Sequence, residues 1–127
     1  MAFAHLTLAT RDVRATSRFF EATLGWRSID RHENILYPAA WLAIAPGQEL
    51  HLLEVPDFTA SAFEGEYGRH FAVLHAGDDI AALKDRLLHH GAELIAPDRP
   101  TPCERFFFRD PNGYLFEVIA ADHAHSR

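Results

Sequence analysis

Two hydrophobic periods alternate along the chain. Residues 3–9 are rich in apolar and β-branched types and read as a strand. After Asp12 the spacing becomes helical, with Val13, Phe19, Phe20 and Leu24 on one face of a helix that runs to Leu24. Asp12 is placed to cap this helix, its carboxylate accepting from free N–H groups of the first turn, and Gly25 is placed to end it. Strands follow at 26–31, 34–44 and 48–55; Pro38 is an irregularity in the second, and Pro46-Gly47 turns the chain into the third. Residues 56–68 read as a loop, and then the order begins again. A strand at 69–75 leads to a helix capped by Asp78 or Asp79, with Ile80, Leu83, Leu87 and Leu88 as its inner face and Gly91 as its stop. Strands at 92–96, 104–109 and 114–120 complete the second half, the last two joined by the tight turn Asp110-Pro111-Asn112-Gly113.

The two halves follow the same plan at offsets that agree within two residues. His5 pairs with His70 at an offset of 65, Asp12 with Asp79 at 67, and Gly25 with Gly91 at 66. GQELHLLE at 47–54 pairs with GYLFEVIA at 113–120, again at 66. Offsets this uniform indicate a duplicated module. The expected fold is α+β: two βαβββ modules with curved mixed sheets enclosing a cleft lined by alternate strand residues. The 127 residues then form one domain, with module one at about 1–56 and module two at about 68–121.

Composition narrows the partners. Hydrophobic residues make up 48% and charged residues 24%, and ten Phe, two Trp and three Tyr supply a core without staples. A formal charge of -6 argues against gripping a phosphate backbone, so no nucleic-acid partner is expected. Cys103 is the single cysteine, which leaves no internal disulfide. The apolar runs fall far short of the ~20 residues of a membrane span. The opening MAFAHLTLATRDVR lacks the basic start and long apolar stretch of a signal peptide. A soluble, cytoplasmic protein without membrane partners is the expectation.

Nine histidines remain to be explained. His5 and His70 open equivalent strands, and His51 and Glu117 occupy matching places in the last strand of each module. A pseudo-two-fold relation between the modules would bring these four positions together. Two imidazoles plus a carboxylate, with open positions, suit a divalent ion such as Fe, Mn, Ni, Co or Zn. His51 would be a fourth ligand or a nearby catalytic base. Glu54 is its rival in the same strand, but a separation of three residues puts it on the opposite face.

The whole chain resembles the vicinal oxygen chelate superfamily, which includes glyoxalase I, the extradiol dioxygenases, methylmalonyl-CoA epimerase and the fosfomycin and bleomycin resistance proteins. The resemblance is carried by AHLTLATRDVRATSRFFEATLGW, HLLEVP, RHFAVLH and FFFRDPNGYLFEVIA, the last being the most specific. It implies metal ligands from the first and last strands of each module, here His5, His51, His70 and Glu117. The dioxygenase-like pattern keeps His5, His70 and Glu117. The glyoxalase-like pattern has Glu or Gln where His51 stands, so this chain departs from it. By the same resemblance the protein is a homodimeric lyase, isomerase or dioxygenase acting on a small organic substrate that chelates the metal through oxygens. The metal would serve as a Lewis acid, polarising an oxygen or stabilising an enediolate. Iron would suit O₂ chemistry on a catechol; Ni, Zn or Co would suit isomerisation, epimerisation or thiol addition. The alternative is a metal-free protein of the bleomycin-resistance type that binds or sequesters a small molecule, an acidic cleft suiting a cationic one. A fosfomycin-modifying enzyme is a weaker match, because the only basic residue after Glu117 is Arg127.

Other residues have plainer expected roles. His89 and His90 suit the C-terminal end of the second helix, and His123 and His125 lie in the tail. His75 ends a strand without a nameable partner. Phe106, Phe107 and Phe108 suit core burial. Arg105 and Arg109 flank them, solvated by default, although an inward Arg suits a substrate carboxylate. Cys103 reads as a bystander, and Trp41, Tyr37 and Phe58 as candidate substrate contacts.

Overall fold

The computed structural model describes residues 1–30, 37–75 and 79–121. In chain order they form β1 (His5–Thr10), α1 (Val13–Thr23), β2 (Arg27–Ile29), β3 (Ala39–Ala45), β4 (Gln48–Glu54), β5 (Phe71–His75), α2 (Ile80–His89), β6 (Glu93–Ile95), β7 (Arg105–Arg109) and β8 (Leu115–Ala120). The chain divides into two compact units, Met1–Phe58 and Thr59–Arg127. The first holds a four-stranded sheet in the order β1-β4-β3-β2, and the second one in the order β5-β8-β7-β6. In both, the first and last strands of the module pair in parallel and the remaining pairs are antiparallel. The fold is therefore α+β, with the βαβββ order present twice.

The helices start and stop where local chemistry requires. Asp12 accepts from the Ala15 N–H at 3.0 Å, and Asp79 from the Ala82 N–H at 3.4 Å. Asp78, the other candidate cap, lies outside the described residues. Glu54 takes a second N–H at the start of α1, that of Val13, at 3.1 Å. This use of Glu54, on the face opposite His51, agrees with its parity. Gly25 and Gly91 end the helices at φ 74° and 89°, a region in which a Cβ is strained. β3 begins only after Pro38, which has no N–H for the ladder; its carbonyl still accepts from Glu54 N at 3.0 Å. Of the strand expected at 34–44, residues 34–36 lie outside the described residues.

Packing corrects the helix faces in two places. In α1, Phe19 and Phe20 are buried, but so are Thr16, Ser17 and Thr23. Their hydroxyls are satisfied locally: Thr16 shares a 2.5 Å bond with Thr10, and Thr23 donates to the Phe19 carbonyl at 2.7 Å. In α2, Ile80, Leu83 and Leu87 are buried, whereas Leu88 is 55% exposed. Leu88 follows Leu87 by about 100° around the helix, which turns it off the apolar stripe. In the second unit Phe108 stacks on Phe116 at 5.2 Å, and Phe71 meets Phe116 edge-on.

The turn between β7 and β8 is organised by Asp110. Its Oδ1 accepts from the N–H groups of Asn112 at 3.0 Å and Tyr114 at 2.9 Å, and its Oδ2 from the Asn112 amide at 3.2 Å. Burial raises the Asp110 carboxyl above its ordinary value, against the lowering pull of these donors. An Asp110→Ala protein removes the acceptor of three buried hydrogen bonds and should lose about 2–4 kcal/mol in urea denaturation at neutral pH. Asp110→Asn keeps the acceptor and should lose less. A raised carboxyl stabilises most below the ordinary aspartate range, and that contribution is lost as pH rises through the raised value. The parent's stability relative to Asp110→Asn should therefore fall across that interval.

Candidate metal centre

Strand register places the four candidate residues in corresponding positions. His51 lies opposite Thr7 of β1 and Trp41 of β3. Glu117 lies opposite Ala72 of β5 and Phe107 of β7. His5 is two residues before Thr7, and His70 two before Ala72, so each shares a sheet face with its partner strand's His51 or Glu117.

In the second unit the pair closes. His70 Nε2 stands 3.1 Å from Glu117 Oε1, and His70 Nδ1 is 3.2 Å from the Gly65 carbonyl. A carbonyl only accepts, so Nδ1 carries the proton. In the neutral ring, Nε2 then presents a lone pair to a carboxylate oxygen. Two acceptors at that separation are joined by a proton shared between them or by a cation beside them. A ring oriented through one nitrogen while the other faces a carboxylate is the arrangement in which histidine ligates metals. The pair offers one nitrogen and one oxygen of the kinds that a divalent cation takes. Within either unit, the described residues contain no group of three or more His, Cys, Asp or Glu able to hold one alone.

Behind Glu117 stands Arg105. Its side chain is 4% exposed, and Nη1 donates to Glu117 Oε2 at 3.2 Å while Nη2 donates to Glu66 Oε2 at 3.1 Å. Nε reaches Thr101 Oγ1 at 3.2 Å, and Nη2 also meets the Arg99 carbonyl. Burial opposes the Arg105 charge, but Glu66 and Glu117 outweigh it and raise its pKa. The Glu66 carboxyl is held below its ordinary value, first by the Asp98 N–H, then also by the Arg99 N–H and Arg105. Phe107 is buried beneath both functional groups: His70 meets its ring edge-on at 5.2 Å, and the Arg105 guanidinium lies 5.4 Å from its centroid.

The first unit is built differently. His51 Nε2 bonds Glu49 Oε1 at 2.8 Å. The His51 ring stacks on Trp41 at 4.4 Å and on His5 at 4.0 Å. Trp41 thus meets a candidate residue, while Tyr37 is exposed and the Phe58 carbonyl accepts from Arg11. Phe106, Phe107 and Phe108 are all buried. Arg105 is turned inward as an alternative to solvation, but its fork is occupied by the protein's own carboxylates rather than open to a substrate. Arg109 donates to the Gly113 and Glu64 carbonyls. His89 lies in the last turn of α2 and His90 caps it, while His123 and His125 fall outside the described residues.

The pattern did not reveal Glu49, Gly65 and Glu66. Glu49 had a usable signal, being two residues from His51 and so on the same strand face. Gly65 and Glu66 had none, because a loop has no period. Their loop is nevertheless tightly specified: a Cβ on Gly68 would lie 2.0 Å from the Phe63 carbonyl oxygen, and that oxygen accepts from Arg69 N at 2.8 Å.

A duplicated βαβββ chain with histidine and carboxylate at matching strand positions has the architecture of the vicinal oxygen chelate proteins. The chain belongs to the Glyoxalase/Bleomycin resistance protein/Dioxygenase superfamily, whose model matches residues 2–118. Among solved structures it is similar to the fosfomycin resistance protein FosX from Listeria monocytogenes, with 24% identity, 94% of this chain and 90% of that chain covered, and a TM-score of 0.75. A variant of that protein complexed with Mn(II) and 1S,2S-dihydroxypropylphosphonic acid gives 22% identity, coverage of 99% and 98%, and a TM-score of 0.78. A putative glyoxalase family protein from Bacillus anthracis gives 20%, 94% of both chains, and 0.72. At these identities the likeness shows the fold. No curated relative matches the chain. Among the described residues, no helix is long and apolar enough to cross a membrane.

Proposed function

We propose that the protein is a metal-dependent lyase, isomerase or dioxygenase of this superfamily, acting on a small organic substrate that offers two oxygens to the metal. The observation that carries this reading is the meeting of His70 Nε2 with Glu117 Oε1 while Nδ1 is committed to Gly65. His70 and Glu117 would hold the ion, with His5 as the third ligand that the family pattern supplies. The Listeria protein's complex with Mn(II) supports a divalent ion and a small oxygen-rich ligand as the class. When bound, such an ion acts as a Lewis acid on a substrate oxygen. His51 is better suited to act as a base than as a fourth ligand. With Nε2 tied to Glu49, its Nδ1 lone pair is available to take a proton, and Glu49 stabilises the imidazolium that forms. The assembly in this reading is a homodimer in the cytoplasm.

A second reading rests on the same pair. A proton on His70 Nε2 would also join it to Glu117, and the stacked Trp41, His51 and His5 rings would then serve a metal-free binding protein. Elemental analysis of the untagged protein beside Glu117→Gln separates the two. Near-stoichiometric metal in the parent, reduced by tenfold or more in Glu117→Gln, is expected. No uptake after incubation with Fe(II), Ni(II), Mn(II) and Zn(II) would overturn the enzyme reading in favour of the binding protein.

A further inference from the structure

Arg105 engages four of its donors within the protein. A guanidinium has five N–H donors. Here Nε serves Thr101, one Nη1 donor serves Glu117 Oε2, and Nη2 serves both Glu66 and the Arg99 carbonyl. The head is buried and lies against the Phe107 ring, so it cannot turn to a new partner without losing several of these bonds at once. Glu66 in turn accepts from the N–H groups of Asp98 at 2.7 Å and Arg99 at 3.1 Å. The loop before β7 and the loop before β5 are thereby fixed to one cation.

The two oxygens of Glu117 are consequently unequal: Oε2 is taken by Arg105, and Oε1 faces His70. We propose that Arg105 is a positioning residue that holds Glu117 in a single-oxygen presentation, so that the carboxylate ligates a metal through Oε1 alone and leaves a coordination position for a chelating substrate. This inference rests on the metal reading above. It assigns Arg105 away from direct substrate binding, because four of its five donors are engaged within the protein and its side chain is buried. Freed of Arg105, Glu117 could offer both oxygens, and its orientation towards His70 would no longer be fixed from behind.

The test is Mn(II) binding to the full chain by calorimetry, with carboxylate infrared difference spectra recorded on binding. Arg105→Gln should weaken Mn(II) affinity by about 10–100-fold, the usual effect of losing a group that orients a ligand. The separation between the antisymmetric and symmetric carboxylate stretches should narrow as Glu117 becomes bidentate. Arg105→Lys keeps a cation without the fork and should recover part of the affinity; it also carries the test should Arg105→Gln fail to fold. A merely structural Arg105 would alter the melting temperature and leave the stretch separation unchanged. Parent-like Mn(II) affinity and parent-like spectra in a folded Arg105 variant would overturn this inference alone. A parent that binds Mn(II) no better than Glu117→Gln would overturn the metal reading and this inference with it.

Discussion

Replacing Arg69 with Met should destabilise the protein by about 3–5 kcal/mol at neutral pH, more than replacing its partner Glu64 with Gln. The asymmetry follows from where the charges lie. The Glu64 side chain is 3% exposed, whereas that of Arg69 is 39% exposed. Arg69 Nη1 stands 2.8 and 2.9 Å from the two Glu64 oxygens, and Leu115 N donates to Oε1 at 2.6 Å. Without Arg69 a buried carboxylate keeps one neutral donor and no counter-charge. Without the Glu64 charge, Arg69 can rehydrate, and Gln still accepts from Leu115; the expected loss is about 1 kcal/mol. Urea denaturation of both variants measures the difference. A larger loss in Glu64→Gln than in Arg69→Met would contradict this account. Because the same loop carries Gly65 and Glu66, Arg69→Met should also loosen the hold on His70.

Phe107→Ala should cost a similar amount, about 3–5 kcal/mol, and should disturb the site as well. Phe107 is 1% exposed and occupies the register position opposite Glu117. Its ring meets both His70 and Arg105. Truncation removes apolar contacts and leaves a cavity beside an imidazole and a guanidinium. Phe107→Leu should lose roughly half as much, since part of the volume is retained. Denaturation gives the energies, and the imidazole resonances of His70 report the second effect. A destabilised Phe107→Ala protein with an unshifted His70 spectrum would show that the ring is core alone.

What the sequence made legible followed from local rules. Asp12, and the choice between Asp78 and Asp79, were identifiable because a cap acts within three residues, and Gly25 and Gly91 because a positive φ suits glycine. The pairing of His70 with Glu117 was identifiable because parity and a repeat offset fix the face of a strand residue. The correspondence of His51 with Glu117 followed in the same way, although their partners differ: Glu49 for one, Arg105 for the other. Less legible was anything set by distant packing. Leu87 and Leu88 are equally apolar, and only the position of the sheet decides which one is buried. Arg105 could be assigned to a strand, but its partner Glu66 lies 39 residues away in a loop with no pattern. That loop, with the composition of a simple linker, supplies a buried carboxylate, a carbonyl for His70 and a counter-charge for Arg105.

The burial of Arg105 also determines how the centre responds to ionic strength. Its contacts with Glu66 and Glu117, at 3.1 and 3.2 Å, are much shorter than the Debye length of about 8 Å in physiological salt, and protein rather than electrolyte fills the surroundings. The Arg109–Glu93 pair is the opposite case, 3.7 Å apart with side chains 34% and 68% exposed, and added salt readily screens it. The molecule therefore carries two populations of charge. Exposed pairs such as Arg109–Glu93 should follow the surrounding medium, while the chain from Glu66 through Arg105 to Glu117 should change little between dilute buffer and concentrated salt.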